Sequence, residues 1–202
     1  MSKFCSGEVL VHGIGHNNGK CPASKDRKML REYNLWTDML LRCTNKYWVK
    51  FPTYVGTTCS ENFKSYEYFY GWCQTQVGFN TKDEYGESWQ LDKDLLSKGD
   101  KHYSEDTCVF ISQSINSMLT RNRINREGCP QGVYLDKRRS KFFARCGYGK
   151  SKSSFLGYFD TTEQAAMAYK VFKEKYSREV AEKYKPQLDE RAYKALLSYV
   201  VN

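Results

Sequence analysis

"KFFARCGYGKSKSSFLGYFD", residues 141–160, interleaves aromatic rings with lysine and arginine. Rings favour burial and cations favour water, so one element must keep them apart. A β-strand does so, because successive side chains point to opposite faces. Read as a strand, "SKFFARC" puts Phe142, Ala144 and Cys146 on one side and Lys141, Phe143 and Arg145 on the other. The first set suits a core; the second is a cationic face carrying a ring. "GVYLD" (132–136) alternates in the same way, with Val133 and Leu135 inward and Tyr134 and Asp136 outward. "SSFLGYF" (153–159) reads as a third strand, with Leu156 inward and Phe155 outward. "KRRS" (137–140) and "GYGKSK" (147–152) supply the turns.

A covering element follows at once. "DTTEQAAMAYKVFKEKYSREVAEKY" (160–184) reads as a helix capped by Asp160 or Thr161, with Glu163 or Gln164 placed to return the bond. Ala165, Ala168, Tyr169 and Phe172 form its apolar stripe, Pro186 stops it, and "DERAYKALLSYV" predicts a last helix. The expected C-terminal half is therefore a three-stranded antiparallel sheet packed on a helix, with its other face turned to solvent.

Charge concentrates in the same place. The chain of 202 residues carries a net charge of +9. Residues 121–152 hold ten basic side chains, among them Arg121, Arg123 and Arg126, against Glu127 and Asp136, a net of +8. An exposed cationic and aromatic face calls for a polyanion with flat apolar parts, so double-stranded DNA is the expected partner. The expected DNA-binding set is Tyr134, Lys137, Arg138, Arg139, Lys141, Phe143, Arg145, Lys150, Lys152 and Phe155. The competing reading is an ordinary solvated basic face whose rings are covered by the N-terminal domain.

The rest of the sequence bounds the problem. No apolar run reaches the length of about 18 residues that a membrane span needs, so no membrane association is expected. The first apolar run is interrupted by His12 and Gly13, which predicts no signal peptide and a cytoplasmic location. The eight cysteines include no C-x2-C or C-x4-C pair and the chain has only three histidines, so reduced, buried thiols are expected rather than a zinc site.

Residues 1–28, rich in Gly, Asn and Lys, are expected to be loose. From Arg27 a helical period begins, through Met29, Leu30, Tyr33, Trp36, Leu40 and Leu41. A second helix is expected over Ser60–Gln76, with Phe63, Tyr66, Phe69, Tyr70 and Cys73 on one face. "WQLDKDLL" (89–96) and "TCVFI" (107–111) read as strands around a turn, and "SQSINSMLTRNR" as a helix after them. "NREGCPQG" (125–132) is the linker candidate. The expected domains are thus 29–126, a helical and ββα unit, and 127–202, the sheet and helices. The fold class is α+β.

Two resemblances rest on these residues. "GVYLDKRRSKFFARC" followed by "FLGYFDTTEQAAMAYKVFKEKY" resembles the Apetala-type, or ethylene-response-factor, DNA-binding domain. The marks are Gly132-Val133, Phe142 with Ala144, Leu156-Gly157 with Phe159, Thr161 and "EQAAMAY". That resemblance implies a sheet lying in the DNA major groove, with Tyr134, Asp136, Arg145, Ser153 and Phe155 as the reading face. Asp136 and Ser153 depart from the arginine-rich pattern of the plant members, so the sequence preference does not transfer.

The segments "LWTDMLLRC", "SENFKSYEYFYGW" and "LDKDLLSKGDKHYSEDTCVFISQSIN", followed by that module, resemble in their order bacteriophage HNH-type homing endonucleases. That resemblance implies a ββα unit holding one divalent metal, Mg²⁺ or Mn²⁺, and the host-cell cytoplasm as location. Asp92 and Asn116 match the metal ligands, and Asp94 is a further acid beside them. Lys93 stands where the base histidine is expected, and Thr107 where the orienting asparagine is expected. His102, on the turn, is the candidate replacement base. Asp100, Glu61 and Glu105 are the other nearby acids. Hydrolysis needs a base to take a proton from water and a cation to hold charge on the phosphate. Two functions therefore stand side by side: a metal-dependent DNA endonuclease lacking its usual base, or a non-catalytic DNA-binding regulator or protein-binding host-takeover factor on a decayed nuclease scaffold.

Overall fold

The computed structural model describes residues 10–97, 99–119, 128–147 and 153–201. They are mixed α and β and include a three-stranded antiparallel sheet. Two compact units emerge: Met1–Phe79 with Leu91–Phe110, and Asn80–Gln90 with Ile111–Asn202. The expected boundary near residue 127 lies outside the described residues, as do Arg121, Arg123, Arg126, Lys150 and Lys152. The segments 80–90 and 111–119, expected in the N-terminal domain, group with the C-terminal unit. Trp89 packs edge-on against Tyr184 at 5.9 Å and Glu84 pairs with Lys183 at 3.2 Å, which holds the first of them there.

In the first unit, the residues expected to be loose are built into the structure from residue 10 onward. Val11 bridges to Gly15, His16 N–H donates to the Lys64 carbonyl at 2.9 Å, and Tyr66 Oη donates to the Pro22 carbonyl at 2.8 Å. Gly15 permits this: a Cβ there would lie 2.6 Å from the Trp36 ring. Strands β1 (Ser24–Lys25) and β2 (Lys28–Met29) then form a short hairpin. Its two turn residues, Asp26 and Arg27, take φ of 51° and 62°, as a two-residue hairpin turn requires. The helix expected from Arg27 therefore starts four residues later, as α1 (Arg31–Arg42), and Met29 is exposed on the hairpin.

Helix α1 buries Trp36, Met39 and Leu40. Helix α2 (Asn45–Lys50) is capped by the Thr44 side chain. Strand β3 (Thr58–Cys59) leads to a 3-10 turn at Asn62–Lys64 and then α3 (Tyr66–Thr75). The single helix expected over Ser60–Gln76 is thus two pieces. Ser60 caps the first by accepting from Phe63 N–H, and Ser65 caps the second by accepting from Tyr68 N–H. Of the expected stripe, Phe63, Tyr66, Phe69 and Cys73 are fully buried and Tyr70 is half-buried, and Trp36 Nε1 donates to the Phe63 carbonyl at 2.8 Å. Strand β4 (Gln90–Asp92) and one turn of helix, α4 (Asp94–Ser97), follow. Strand β5 (His102–Tyr103) pairs parallel with β3, and β6 (Val109–Ile111) pairs with β4. Seven cysteines, all of those among the described residues, are free thiols.

The second unit contains α5 (Gln113–Leu119), then β7 (Val133–Asp136), β8 (Lys141–Gly147) and β9 (Ser153–Phe159) in the order β7-β8-β9. Helix α6 (Thr162–Tyr184) covers one face, and α7 (Glu190–Leu197) packs on α6. Thr161 is the cap: its side chain accepts from Gln164 N–H, and Gln164 Oε1 accepts in return from Asp160 N–H at 3.2 Å. Val133, Ala144, Cys146, Ala165 and Tyr169 form the core, with Phe142, Leu156 and Phe159 packed against them. Small residues at Ala144 and Ala165 let the helix approach the sheet closely.

Candidate nucleic-acid interface

The register of the sheet determines which side chains share its open face. Tyr134 pairs with Phe143, Asp136 with Lys141, Phe143 with Tyr158 and Arg145 with Phe155. Paired residues in an antiparallel sheet point to the same side, so these side chains lie together opposite α6. The expected alternation of β7 and β8 is therefore what the fold displays. Strand β9 departs from it.

A β-bulge between β8 and β9, at the step from Ala144 to Arg145, leaves Leu156 as the extra residue. On the near side of it Phe155 faces outward, as expected. Beyond it the alternation is inverted: Tyr158 faces outward and Phe159 packs into the core. Gly157, at φ 123°, takes up the backbone change, in a conformation that favours glycine. Tyr158 is the face residue that strict alternation misses. The one signal for it in the sequence is the isolated glycine within a strand pattern.

Four rings consequently form a continuous patch. Tyr134 stacks on Phe143 with centroids 5.1 Å apart, Phe143 lies 6.2 Å from Phe155 and 6.0 Å from Tyr158, and Phe155 meets Tyr158 edge-on at 5.2 Å. Tyr134, Phe155 and Tyr158 remain 39%, 52% and 41% exposed. Cations surround them. Arg139 lies over the Tyr158 ring at 4.8 Å and 3.5 Å from Asp136, and Lys141 pairs with Asp160 at 3.0 Å. No carboxylate among the described residues pairs with Lys137, Arg138 or Arg145. The turn that carries Lys137 and Arg138 is fixed by Asp136, whose Oδ1 accepts from Arg138 and Arg139 N–H, and by Ser140 at φ 51°. Asp136, a departure from the arginine-rich pattern, thus organises the turn.

The acids and candidate bases of the N-terminal half are placed differently. Asp92 is buried, 6% exposed, and its Oδ2 accepts from Leu95 N–H at 2.8 Å, which caps α4. Burial pushes its carboxyl up to about 6, aided by the charge of Asp94 and opposed by the Leu95 N–H. Lys93 is also buried. Its ammonium is ion-paired with Asp94, donates to the Asp100 carbonyl at 3.4 Å and sits over the Tyr103 ring. His102 Nδ1 shares a hydrogen bond with Thr58 Oγ1 at 2.8 Å, and Thr107 Oγ1 donates to the His102 carbonyl rather than to its ring. Asn116 donates its amide to Gln90 Oε1 at 3.0 Å and belongs to the second unit, while Asp92 belongs to the first. Glu61 pairs with Lys64, and Glu105 accepts from Asn62.

The structure thus brings Lys93 and Asp94 together as an ion pair. Asp92 caps α4 through its Oδ2. Among the described residues no group of three or more His, Cys, Asp or Glu side chains is arranged to hold a metal ion. Mg²⁺ keeps several waters and is held by one or two carboxylates together with substrate phosphates. No helix among the described residues is long and apolar enough to cross a membrane. Comparison of the chain with protein-family models, with curated proteins and with solved structures finds no match.

Proposed function

We propose that the protein binds double-stranded DNA through the open face of β7-β8-β9, without cleaving it. One observation carries the reading: four contiguous rings, three of them substantially exposed, stand among cations of which Lys137, Arg138 and Arg145 have no acidic partner among the described residues. Cations with no internal partner are free to replace the counterions of phosphates. Arg145, on the middle strand beside Phe155, is the side chain placed to reach base edges, while Arg138 and Lys137 on the turn are placed for the backbone. This supports the likeness to Apetala-type domains, with Tyr158 added to the reading face.

The order β4, α4, β5, β6, α5 follows the ββα sequence of a nuclease-derived scaffold, with α5 grouped in the second unit. The ion pair of Lys93 with Asp94 favours a scaffold in which the residue at the expected base position does not accept a proton. A non-catalytic DNA-binding regulator is the function that fits both halves.

Gel-shift titration against genomic fragments tests the reading. Arg145→Ala is expected to weaken specific binding by about 1–3 kcal/mol if that guanidinium reads a base. Arg138→Ala is expected to weaken binding to all sequences alike and to flatten the dependence of log K on log salt by about one unit. Unchanged titrations for both variants would remove this face from the function. Incubation with supercoiled DNA and Mg²⁺ or Mn²⁺ is expected to leave it intact, and nicks that vanish in Asp92→Ala would restore the endonuclease reading.

A further inference from the structure

We infer that this face takes DNA carrying unpaired bases, a gapped duplex in preference to an unbroken one, with Phe143, Phe155 and Tyr158 as the surface on which those bases stack. The inference rests on the DNA-binding reading above and names the kind of DNA.

In an intact B-form duplex each base has its flat faces covered by its neighbours, and the groove offers only edges. The apolar part of those edges is the thymine methyl group. Rings set against such a groove can meet thymine methyl groups but no flat base face. Unpaired bases present both flat faces, and stacking on aromatic side chains is the sequence-tolerant interaction that holds single strands. The rings here suit it. They are contiguous at 5.1–6.2 Å between centroids, which matches neither isolated surface rings nor a buried core. The inner face of the same sheet already holds Phe142, Leu156 and Phe159, so the outer rings are surplus to packing against α6.

Charge decides the occupant. A neutral apolar partner would be met by the cationic turn 137–139 and by Arg145. An acidic peptide or an anionic membrane would satisfy the cations but bring no stacking faces to the rings. DNA with a short unpaired stretch satisfies both at once, its flanking phosphates on the turn and on Arg145, its bases on the rings. Arg139 lies over Tyr158, which leaves the edge of the platform cationic where a phosphate chain would pass.

The test compares the full-length chain on a labelled duplex and on the same duplex with a short gap in one strand, a fluorescent adenine analogue being placed in the gap. The gapped DNA is expected to bind about tenfold tighter, with quenching of the analogue on binding. Phe155→Ala and Tyr158→Ala, both at exposed positions, are expected to lower affinity for gapped DNA about tenfold each and affinity for the intact duplex by a clearly smaller factor. Circular dichroism of each variant matching the wild type excludes unfolding as the cause. Arg138→Ala is expected to weaken both DNAs alike. Equal affinity for gapped and intact DNA, or ring variants that weaken both by one factor, overturns the preference and leaves duplex binding standing. Failure of both DNAs to bind overturns the DNA reading as well.

Discussion

Gly132→Ala is expected to destabilise the C-terminal unit by about 3 kcal/mol or more, the sum of a left-handed backbone and an overpacked core. Gly132 precedes β7 with φ 77°, and a Cβ there would lie 2.1 Å from the Tyr169 ring. Tyr169 cannot yield easily, because it is buried in the core between α6 and the sheet. The Gly132 carbonyl also accepts from Arg145 N–H at 2.8 Å, so a shift of this residue is passed to the strand that carries the central cation. Gly128→Ala is the control. Its φ is 75°, yet a Cβ there meets nothing within 4 Å, so only the backbone cost of about 1–2 kcal/mol applies. Thermal unfolding followed by far-ultraviolet circular dichroism measures both. Equal losses for the two variants would show that the Tyr169 contact carries no energy.

The second large effect concerns pH. Asp92 titrates at about 6 in the folded protein, against an ordinary value of 3.8. Between those values the folded chain holds a proton that the unfolded chain has released. Stability from this group is therefore fully present below about pH 4 and is lost as pH rises through about 6, a difference of about 3 kcal/mol. Asp92→Asn keeps an oxygen for Leu95 N–H and removes the buried charge. The variant is expected to match the wild type near pH 4 and to exceed it by up to about 3 kcal/mol above pH 6. Urea unfolding in the presence of a chelator, followed by the fluorescence of the four tryptophans, measures the difference at each pH. A gap that does not vary with pH would mean that Asp92 is not displaced from ordinary carboxyl behaviour. Replacing the chelator with Mg²⁺ adds a reading independent of cleavage: a cation on this carboxylate would raise wild-type stability above pH 6, whereas no change fits a helix cap.

The C-terminal module was legible because its signals are local and agree with one another. Alternation in 132–147, turn residues at 137–140, a threonine cap and a small-residue helical stripe all demand the same sheet and helix. The hairpin at residues 24–29 was hidden because Met29 and Leu30 extend the helical period backwards by accident; the positive φ of Asp26 and Arg27 overrides it. In the N-terminal half, residue types indicated acids and a histidine, but no spacing reveals that Asp92 will cap a turn or that Lys93 will be drawn to Asp94. Those are consequences of burial, which depends on packing far along the chain.

The extra residue at Leu156 makes Phe155 and Tyr158 neighbours in space although they are three apart in the chain, an interval that no straight strand allows for one side. Deleting Leu156 would restore uniform pleating and force either Tyr158 or Phe155 to trade places with an interior group. An aromatic–any–glycine–aromatic tetrapeptide at this point is what the parity change needs, and it is what sets two neighbouring rings on the open side.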